Sequence, residues 1–506
     1  MKHPSILVVG AGVMGMGIAQ VAAQAGHHVF LFDQRQGAAS QAQHSIAETL
    51  NKLVAKGKLT ESRAQETLQR LEPIQALEEA KKASLVVEAI VEKLDAKVAL
   101  FKTLEAVLSP EAILATNTSS ISVTAIAAPL QHPERVVGMH FFNPVPLMAL
   151  VEVVSGLHTS PQVAQTVEQL ASAWGKVAVH TRSTPGFIVN RIARPYYAEA
   201  LMLLQEQAAQ PHVLDALLRS AGFRMGPCEL MDLIGHDTNF SVTQSVFEAY
   251  FYDRRFTPSG VQKELVDGGL LGRKTGRGFY TYPQGAPELT QVHTPFDHLP
   301  ERIVLHGMGP EIVLWSQALA QHLPQVTVEH QPQSDWVGLA LPHGCIQLTD
   351  GRTAYQVAQD SGQANVSIID ECPTKDHALA YASTGQAAWD RDTEAVLCAL
   401  GYSPYSVADT PGLVVARTLA MLVNEAADAV LQGVCSVEGA DAAMKLGVNY
   451  PAGPFEWLHR MGVDRVVRLI ESLDRVYRGE RYRVSPWLLK ARGQQQVNSL
   501  RAEFLS

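Results

Sequence analysis

Cysteine, net positive charge and long apolar runs are what this chain lacks. Its five cysteines, Cys228, Cys345, Cys372, Cys398 and Cys435, are odd in number, scattered and without metal-ligand spacing. A disulfide framework and a metal site are therefore not expected, and a reducing cytoplasm is. The formal charge of -9 argues against non-specific binding to nucleic acid, so an anionic ligand needs a local cluster of cations. No uninterrupted apolar run approaches the roughly 18 residues of a membrane span. The opening MKHPSILVVG runs into a glycine turn in place of a cleavage site, so no secretory signal is expected either. Charged residues make up 18% of the chain and hydrophobic ones 46%, a balance that supports large cores and excludes disorder. The length of 506 residues allows three or four domains of about 150 residues each.

What is present starts with Ser5-Ile-Leu-Val-Val9, the continuous apolar run of a strand covered on both faces. It passes into Gly10-Ala-Gly12-Val-Met-Gly15 and a helical pattern capped by Gly26. The three glycines have separate uses: Gly10 permits the tight turn, Gly12 lets backbone approach a pyrophosphate, and Gly15 lets helix pack on strand. Phosphate charge is favoured at the helix N-terminus that follows. The next apolar run, Val29 to Phe32, ends in Asp33, placed to accept hydrogen bonds from a ribose and repel a 2′-phosphate. That favours NAD over NADP, with Arg35 as the feature pulling the other way. Residues 41–79 read as a polar helical hairpin carrying Lys52, Lys56 and Lys58, either a solvated surface or a cation cluster for phosphate. Ser84 to Glu92 and Ala112 to Asn117 read as further buried strands. They bring Glu92, then Thr118, Ser119 and Ser120, to the rim where open α/β sheets bind ligands.

Arg135 to His140 and Leu150 to Val154 form two more strand-like runs, the second with Glu152 among aliphatic residues. A histidine oriented by a carboxylate is a general base near neutral pH. The same pair also fits a core histidine and a solvated strand-end glutamate. Thr181 to Pro185 is a turn-rich break, Gly186 to about Tyr282 is helical in pattern, and 283–403 holds short strand-like runs. There, His306-Gly-Met-Gly309-Pro310 follows a strand without the full glycine spacing, so no second NAD site is expected. Beyond it, Asp409 to Arg417 echoes Ser183 to Arg191 at an offset of 226, with Ala416 where the first copy has Asn190.

GAGVMGMGIAQ, VVEAIVEK, ATNTSSIS, GMHFFNPVPLMALVEVV, STPGFIVNR, GFRMGP and LGRKTGRGFY, in this order and spacing, resemble the 3-hydroxyacyl-CoA dehydrogenase family. The resemblance implies an α/β Rossmann-type NAD domain at 1–182 and an all-α C-terminal domain at 183–282. A degenerate α/β segment at 283–403 and a second copy of the α-helical domain at 404–506 would follow. The implied activity is NAD-dependent oxidation of a (3S)-3-hydroxyacyl-CoA to the 3-oxoacyl-CoA. The preferred substrate is 3-hydroxyadipyl-CoA, in phenylacetate breakdown, and 3-hydroxybutyryl-CoA is its nearest rival. A non-catalytic NAD or acyl-CoA scaffold is the alternative of another class. By position, His140 matches the catalytic histidine and Glu152 its orienting partner. Ser119 matches the substrate-binding serine, and Asn190 the asparagine that completes the site. Glu92, Lys97, Asn143 and Lys274 fall on cofactor contacts, Lys56 falls on a coenzyme A contact, and Thr49 stands where some relatives have serine. Arg194 replaces an apolar residue of many short-chain relatives and suits either an acyl tail ending in a carboxylate or a plain surface position. In the family the helical domain forms the dimer contact, so the second copy is expected to act as an internal dimer partner, with or without homo-oligomers. No metal, membrane or nucleic acid is implied.

Overall fold

The computed structural model describes residues 4–374 and 377–505. They gather into two compact units, residues up to Arg191 with Ala429–Val448, and Ile192–Asp428 with residues from Asn449 onward. Among the described residues no helix is long and apolar enough to cross a membrane.

In the first unit the apolar runs become β1 (Ile6–Val9), β2 (Val29–Phe32), β3 (Leu71–Pro73), β4 (Leu85–Glu88), β5 (Ile113–Thr116), β6 (Val136–Phe141), β7 (Leu150–Ser155) and β8 (Val177–Arg182). They form one sheet in the order β3-β2-β1-β4-β5-β6-β7-β8. Strands β1 to β6 run parallel, β7 is antiparallel to β6, and β8 is parallel to β7. Alternate residues feed two cores. Ile6 and Val8 meet Ile18, Ile46 and Leu50 on one face, while Leu7 and Val9 join the core of Phe101, Leu104 and Ile126 on the other. A parallel sheet covered in this way has no need of polar alternation, which is why its strands read as plain apolar runs. The order reverses direction between β1 and β4, and a crevice opens at their carboxyl ends.

Two sequence expectations change in detail. The hairpin of residues 41–79 is a helix, Ala38–Ala55, and a second helix, Glu61–Gln69, followed by β3, whose three residues are too few to show a strand period. The strand expected to reach Glu92 stops at Glu88, because the Glu88 carboxylate accepts the Ile90 amide (2.7 Å) and turns the chain.

In the second unit the helix expected to continue from Phe187 breaks after Ile192. A new helix, Arg194–Gln205, starts with Pro195 in its first turn, where a missing N–H costs nothing. Helices Pro211–Ser220, Pro227–Ile234, His236–Ala249 and Gly260–Asp267 follow. Next come β9 (Arg302–His306), β10 (Thr327–Gln331), β11 (Gly338–Leu341), β12 (Gly344–Leu348), β13 (Val366–Ile369), β14 (Ala378–Ser383) and β15 (Ser403–Ser406). Their order is β10-β9-β11-β12-β13-β14-β15, with β11 antiparallel to both neighbours. Strands β14 and β15 leave little trace in the sequence, being built of small residues or interrupted by Pro404.

A buried ionic cluster ties the helix Arg194–Gln205 to the tail. Arg417 is fully buried; its Nε donates to Glu199 (2.7 Å) and its fork to Glu206 (3.2 Å) and the Tyr482 hydroxyl (2.6 Å). Arg481 donates to the other Glu199 oxygen (2.9 Å). Burial alone would push the Glu199 carboxyl up, but the charges of Arg481 and Arg417 hold it below its ordinary range. Removing one partner strands a buried charge. Arg417→Ala should therefore cost about 3–5 kcal/mol in urea unfolding, whereas Arg417→Lys, which keeps the charge, should cost less.

Candidate active site

The glycine loop leaves β1 and enters the helix Val13–Gln24. Gly10 has φ +105°, and a Cβ there would lie 2.4 Å from the Ala89 carbonyl oxygen; one on Gly15 would lie 1.7 Å from the Gly10 oxygen. Both glycines are thus required by close backbone contact. Gly12 differs, since a Cβ on it would meet no protein atom within 4 Å. Its open side faces a cleft of about 710 Å³ that Gly10, Asp33, Arg35, Ala96 and Leu100 also line. A loop tight on the protein side and bare on the cleft side fits a pyrophosphate lying against the helix N-terminus. Asp33 accepts the Ala11 amide (2.8 Å) and is held by the Arg35 guanidinium (3.0 Å). The Arg35 hydrogen bond is the largest reason its carboxyl drops to about 2.

The rim next to this cleft is organised by two acids. Glu88, fully buried, accepts Lys97 Nζ (2.6 Å) and the Thr116 hydroxyl (2.6 Å). Lys97, itself buried, also faces Glu92 at 3.2 Å. Glu92 accepts the Thr118 hydroxyl (2.6 Å) and the amides of Ser119 (2.9 Å) and Ser120 (3.1 Å). Burial raises its carboxyl, but Lys97 and these donors bring the balance below the ordinary range. Lys97 therefore lies beneath the rim as the counter-ion of both acids, and the half-buried Ser119 is fixed through its backbone.

His140 and Glu152 lie directly opposite each other in the antiparallel register of β6 and β7, which brings their side chains together. His140 Nδ1 meets Glu152 Oε2 at 2.5 Å, with the ring 4.6 Å from Phe142 and 5.7 Å from Phe187. The other Glu152 oxygen accepts the amides of Ile188 and Val189, both at 3.0 Å. Asn190 follows immediately, so one buried carboxylate positions both the histidine and the turn carrying the asparagine. The reading of Glu152 as a solvated strand-end residue is thereby excluded. Asn117, unremarked in the sequence, accepts the Phe141 amide (2.8 Å) and ties the serine loop to the histidine strand. Lys176, also unremarked, donates to the carbonyls of Val145 (2.6 Å) and Met148 (2.8 Å), fastening the loop that begins at the exposed Asn143. Glu88 had a signal in the sequence, a carboxylate inside an apolar run, but Asn117 and Lys176 had none.

The segment 5–184 matches the model described as 3-hydroxyacyl-CoA dehydrogenase, NAD binding domain. Segments 186–282 and 412–498 both match 3-hydroxyacyl-CoA dehydrogenase, C-terminal domain. The chain belongs to the 3-hydroxyacyl-CoA dehydrogenase family. It is 45% identical over 480 residues to the 3-hydroxyadipyl-CoA dehydrogenase of Escherichia coli K12, covering 95% of each chain. It is 42% identical over 285 residues, 56% of its own length and 99% of the relative's, to a probable 3-hydroxybutyryl-CoA dehydrogenase of Bacillus subtilis. The crystal structure of an E. coli K12 3-hydroxybutyryl-CoA dehydrogenase superposes with a TM-score of 0.89 at 42% identity, over 97% of this chain and 98% of that one. The protein is thus an NAD-dependent 3-hydroxyacyl-CoA dehydrogenase, with NAD as its cofactor.

Of the remaining family positions, Thr49 and Lys56 are exposed on the helix Ala38–Ala55 and its cap, with Lys52 and Lys58 near them. Thr49 donates back to the Ser45 carbonyl (2.9 Å). In the second unit Lys274 is paired with Asp237 (2.5 Å). Arg194 is not a surface arginine: it is buried, its guanidinium lies 4.9 Å over the Tyr197 ring and donates to the Thr243 hydroxyl (3.1 Å). Burial draws its pKa down.

Because the space at Gly12 is empty of protein, Gly12→Ala should leave the cofactor-free melting temperature unchanged while weakening NADH binding about tenfold or more, about 1.4 kcal/mol, as measured by fluorescence titration. Gly15→Ala should lower both.

Proposed function

We propose that His140 is the base that takes the substrate hydroxyl proton, and that the acyl chain is adipyl. The observation that carries the first part is the short His140–Glu152 contact. With Nδ1–H donated to the carboxylate, Nε2 is left to accept the proton, and Glu152 stabilises the charged ring. NAD, when bound, supplies the ring that receives the hydride from C3. Ser119 and Asn190 align the hydroxyl and thioester carbonyl. Gly10, Gly12, Gly15 and Asp33 hold the dinucleotide, Glu92, Asn143 and Lys274 add contacts, and Lys97 acts through Glu92. Lys56 meets coenzyme A phosphate as a point charge, with Thr49 beside it.

The adipyl reading is supported by the E. coli relative that carries that name from end to end. Arg194 adds support as a buried cation lining a cavity of about 320 Å³ with Thr243 and Gln205. The names of the shorter relatives and of the full-length E. coli crystal structure favour 3-hydroxybutyryl-CoA as a second reading.

We further infer that the domains run 1–182, 183–282, 283–403 and 404–506, the last two being a decayed copy that serves as an internal dimer partner. Matching backbone supports this: Gly186 and Phe187 have φ +74° and +47°, and Gly412 and Leu413 have +72° and +52°. Strands β12 to β15 pair in the same directions as β5 to β8. Asp370 accepts the amides of Val414, Val415 and Ala416 (2.7–2.9 Å), as Glu152 accepts those of Ile188 and Val189. The contacts are also reciprocal at the 226-residue offset. The Arg182 amide donates to Val434 (3.1 Å) and the Ala408 amide to Ala208 (2.9 Å); Arg191 pairs with Gln432 (2.8 Å) and Arg417 with Glu206. Such reciprocity marks an isologous interface. No second NAD is expected, since the run His306-Gly-Met-Gly309-Pro310-Glu311 lacks the full glycine spacing and Trp336 stacks on His306 at 4.2 Å. Five free thiols suit a reducing cytoplasm.

NADH oxidation with 3-oxoadipyl-CoA and with acetoacetyl-CoA tests both halves. His140→Ala should lower kcat about 10²- to 10⁴-fold with either substrate, and an unaffected rate discards the base. Arg194→Leu should reduce the preference for the adipyl chain about tenfold or more with the acetoacetyl rate nearly unchanged; unaltered discrimination returns the substrate to the short-chain reading.

A further inference from the structure

The tail helix Val437–Gly447 belongs to the first unit and packs on β7 and β8. Near its start Gly439 lies against β8, where a Cβ would stand 3.0 Å from Val179 Cγ1. At its end is Gly447. A Cβ there would lie 2.7 Å from Leu150 Cδ2, 3.0 Å from Val189 Cγ2 and 3.6 Å from Phe142 Cε1. Each of these three neighbours is tied to the His140–Glu152 pair. Leu150 lies two residues before Glu152 in β7, on the same face. Val189 gives its amide to the Glu152 carboxylate, and the Phe142 ring lies against the His140 ring.

The backbone at Gly447 does not demand glycine, because its φ is not positive and the residue is helical. Alanine there would favour the helix. What requires the bare Cα is the side chains it faces. The corresponding helix of the first copy, Pro211–Ser220, ends in Ser220, the residue 227 earlier, which carries a side chain.

We propose that Gly447 is a positioning residue for the dehydrogenation, a flat stop in the tail helix that lets Leu150, Val189 and Phe142 close on the His140–Glu152 pair. The proposal rests on that pair being the base assigned above. In close-packed interiors an added methyl displaces its neighbours, and these neighbours lead directly to the two oxygens of Glu152. The second copy then contributes to turnover without supplying any reacting group.

The test uses the full chain, with Gly447→Ala, Gly447→Val and Gly447→Ala combined with Leu150→Val. The first readout needs no substrate. In ¹⁵N-histidine-labelled protein the proton bridging His140 and Glu152 should give a far-downfield signal, identified by its loss in His140→Ala, and Gly447→Val should shift or abolish it. The second readout is turnover. Gly447→Val should lower kcat roughly tenfold to a hundredfold, with KM for NADH held within about twofold. Trimming Leu150 should return the Gly447→Ala enzyme to the rate of Leu150→Val alone. A bridging signal and kcat both unchanged in Gly447→Val overturn the proposal, as does a double variant no better than Gly447→Ala. If Gly447→Val does not fold, Gly447→Ala and its rescue decide the matter. A wild-type enzyme inactive on every 3-oxoacyl-CoA would refute the assigned chemistry, and the bridging signal would still judge the positioning role.

Discussion

A single carboxylate, that of Glu152, makes the rest of the first unit consistent. A charged group in the middle of an all-apolar strand is expensive unless every lone pair is answered. Here the register of β6 against β7 supplies an imidazole, and the start of the turn after β8 supplies two amides. Satisfying the carboxylate fixes the orientation of His140 and the path of the chain into Asn190 together. The cost of burial is therefore offset by the contacts that build the site.

The same arrangement recurs at neighbouring strand ends. Asp33, at the end of β2, accepts an amide of the glycine loop; Glu88, at the end of β4, accepts Ile90; Glu92 gathers the amides of the serine loop. Parallel strands leave their carboxyl ends pointing to one rim, and loops there have backbone amides without sheet partners. Acids at those ends answer the amides and hold the loops rigid, the Ser119 loop among them. Lys97 illustrates the layering, since its buried charge neutralises both Glu88 and Glu92 beneath the rim.

In the second sheet Asp370 and Ala380 stand at the register positions that His140 and Glu152 hold in the first. Asp370 answers the amides of Val414, Val415 and Ala416 from the histidine's position, with Ala380 opposite it in place of a carboxylate, and Ala416 stands where the first turn has Asn190. A buried carboxylate that caps a turn serves folding by answering backbone amides that would otherwise lack partners.

By itself the sequence determined the nucleotide fold and its cofactor, because these depend on local patterns: an apolar run, three glycines at fixed spacing and an acid closing the next strand. The reaction was legible only through the resemblance of seven motifs to a known family. It also brought out His140, Glu152, Ser119 and Asn190, whose motifs lie close to one another along the chain. Tertiary structure decided which contacts those residues make. Strand register set Glu152 against His140, and the turn after β8 added the amides of Ile188 and Val189, making it a buried group with three partners. Asn117 and Lys176 act by bonding to backbone atoms 24 to 31 residues away, an interaction that leaves no periodic trace. Arg194 proved buried, and Gly447 came to lie beside Leu150 across most of the chain. Such contacts depend on packing between elements distant in sequence, where pattern carries no information and only the folded chain does.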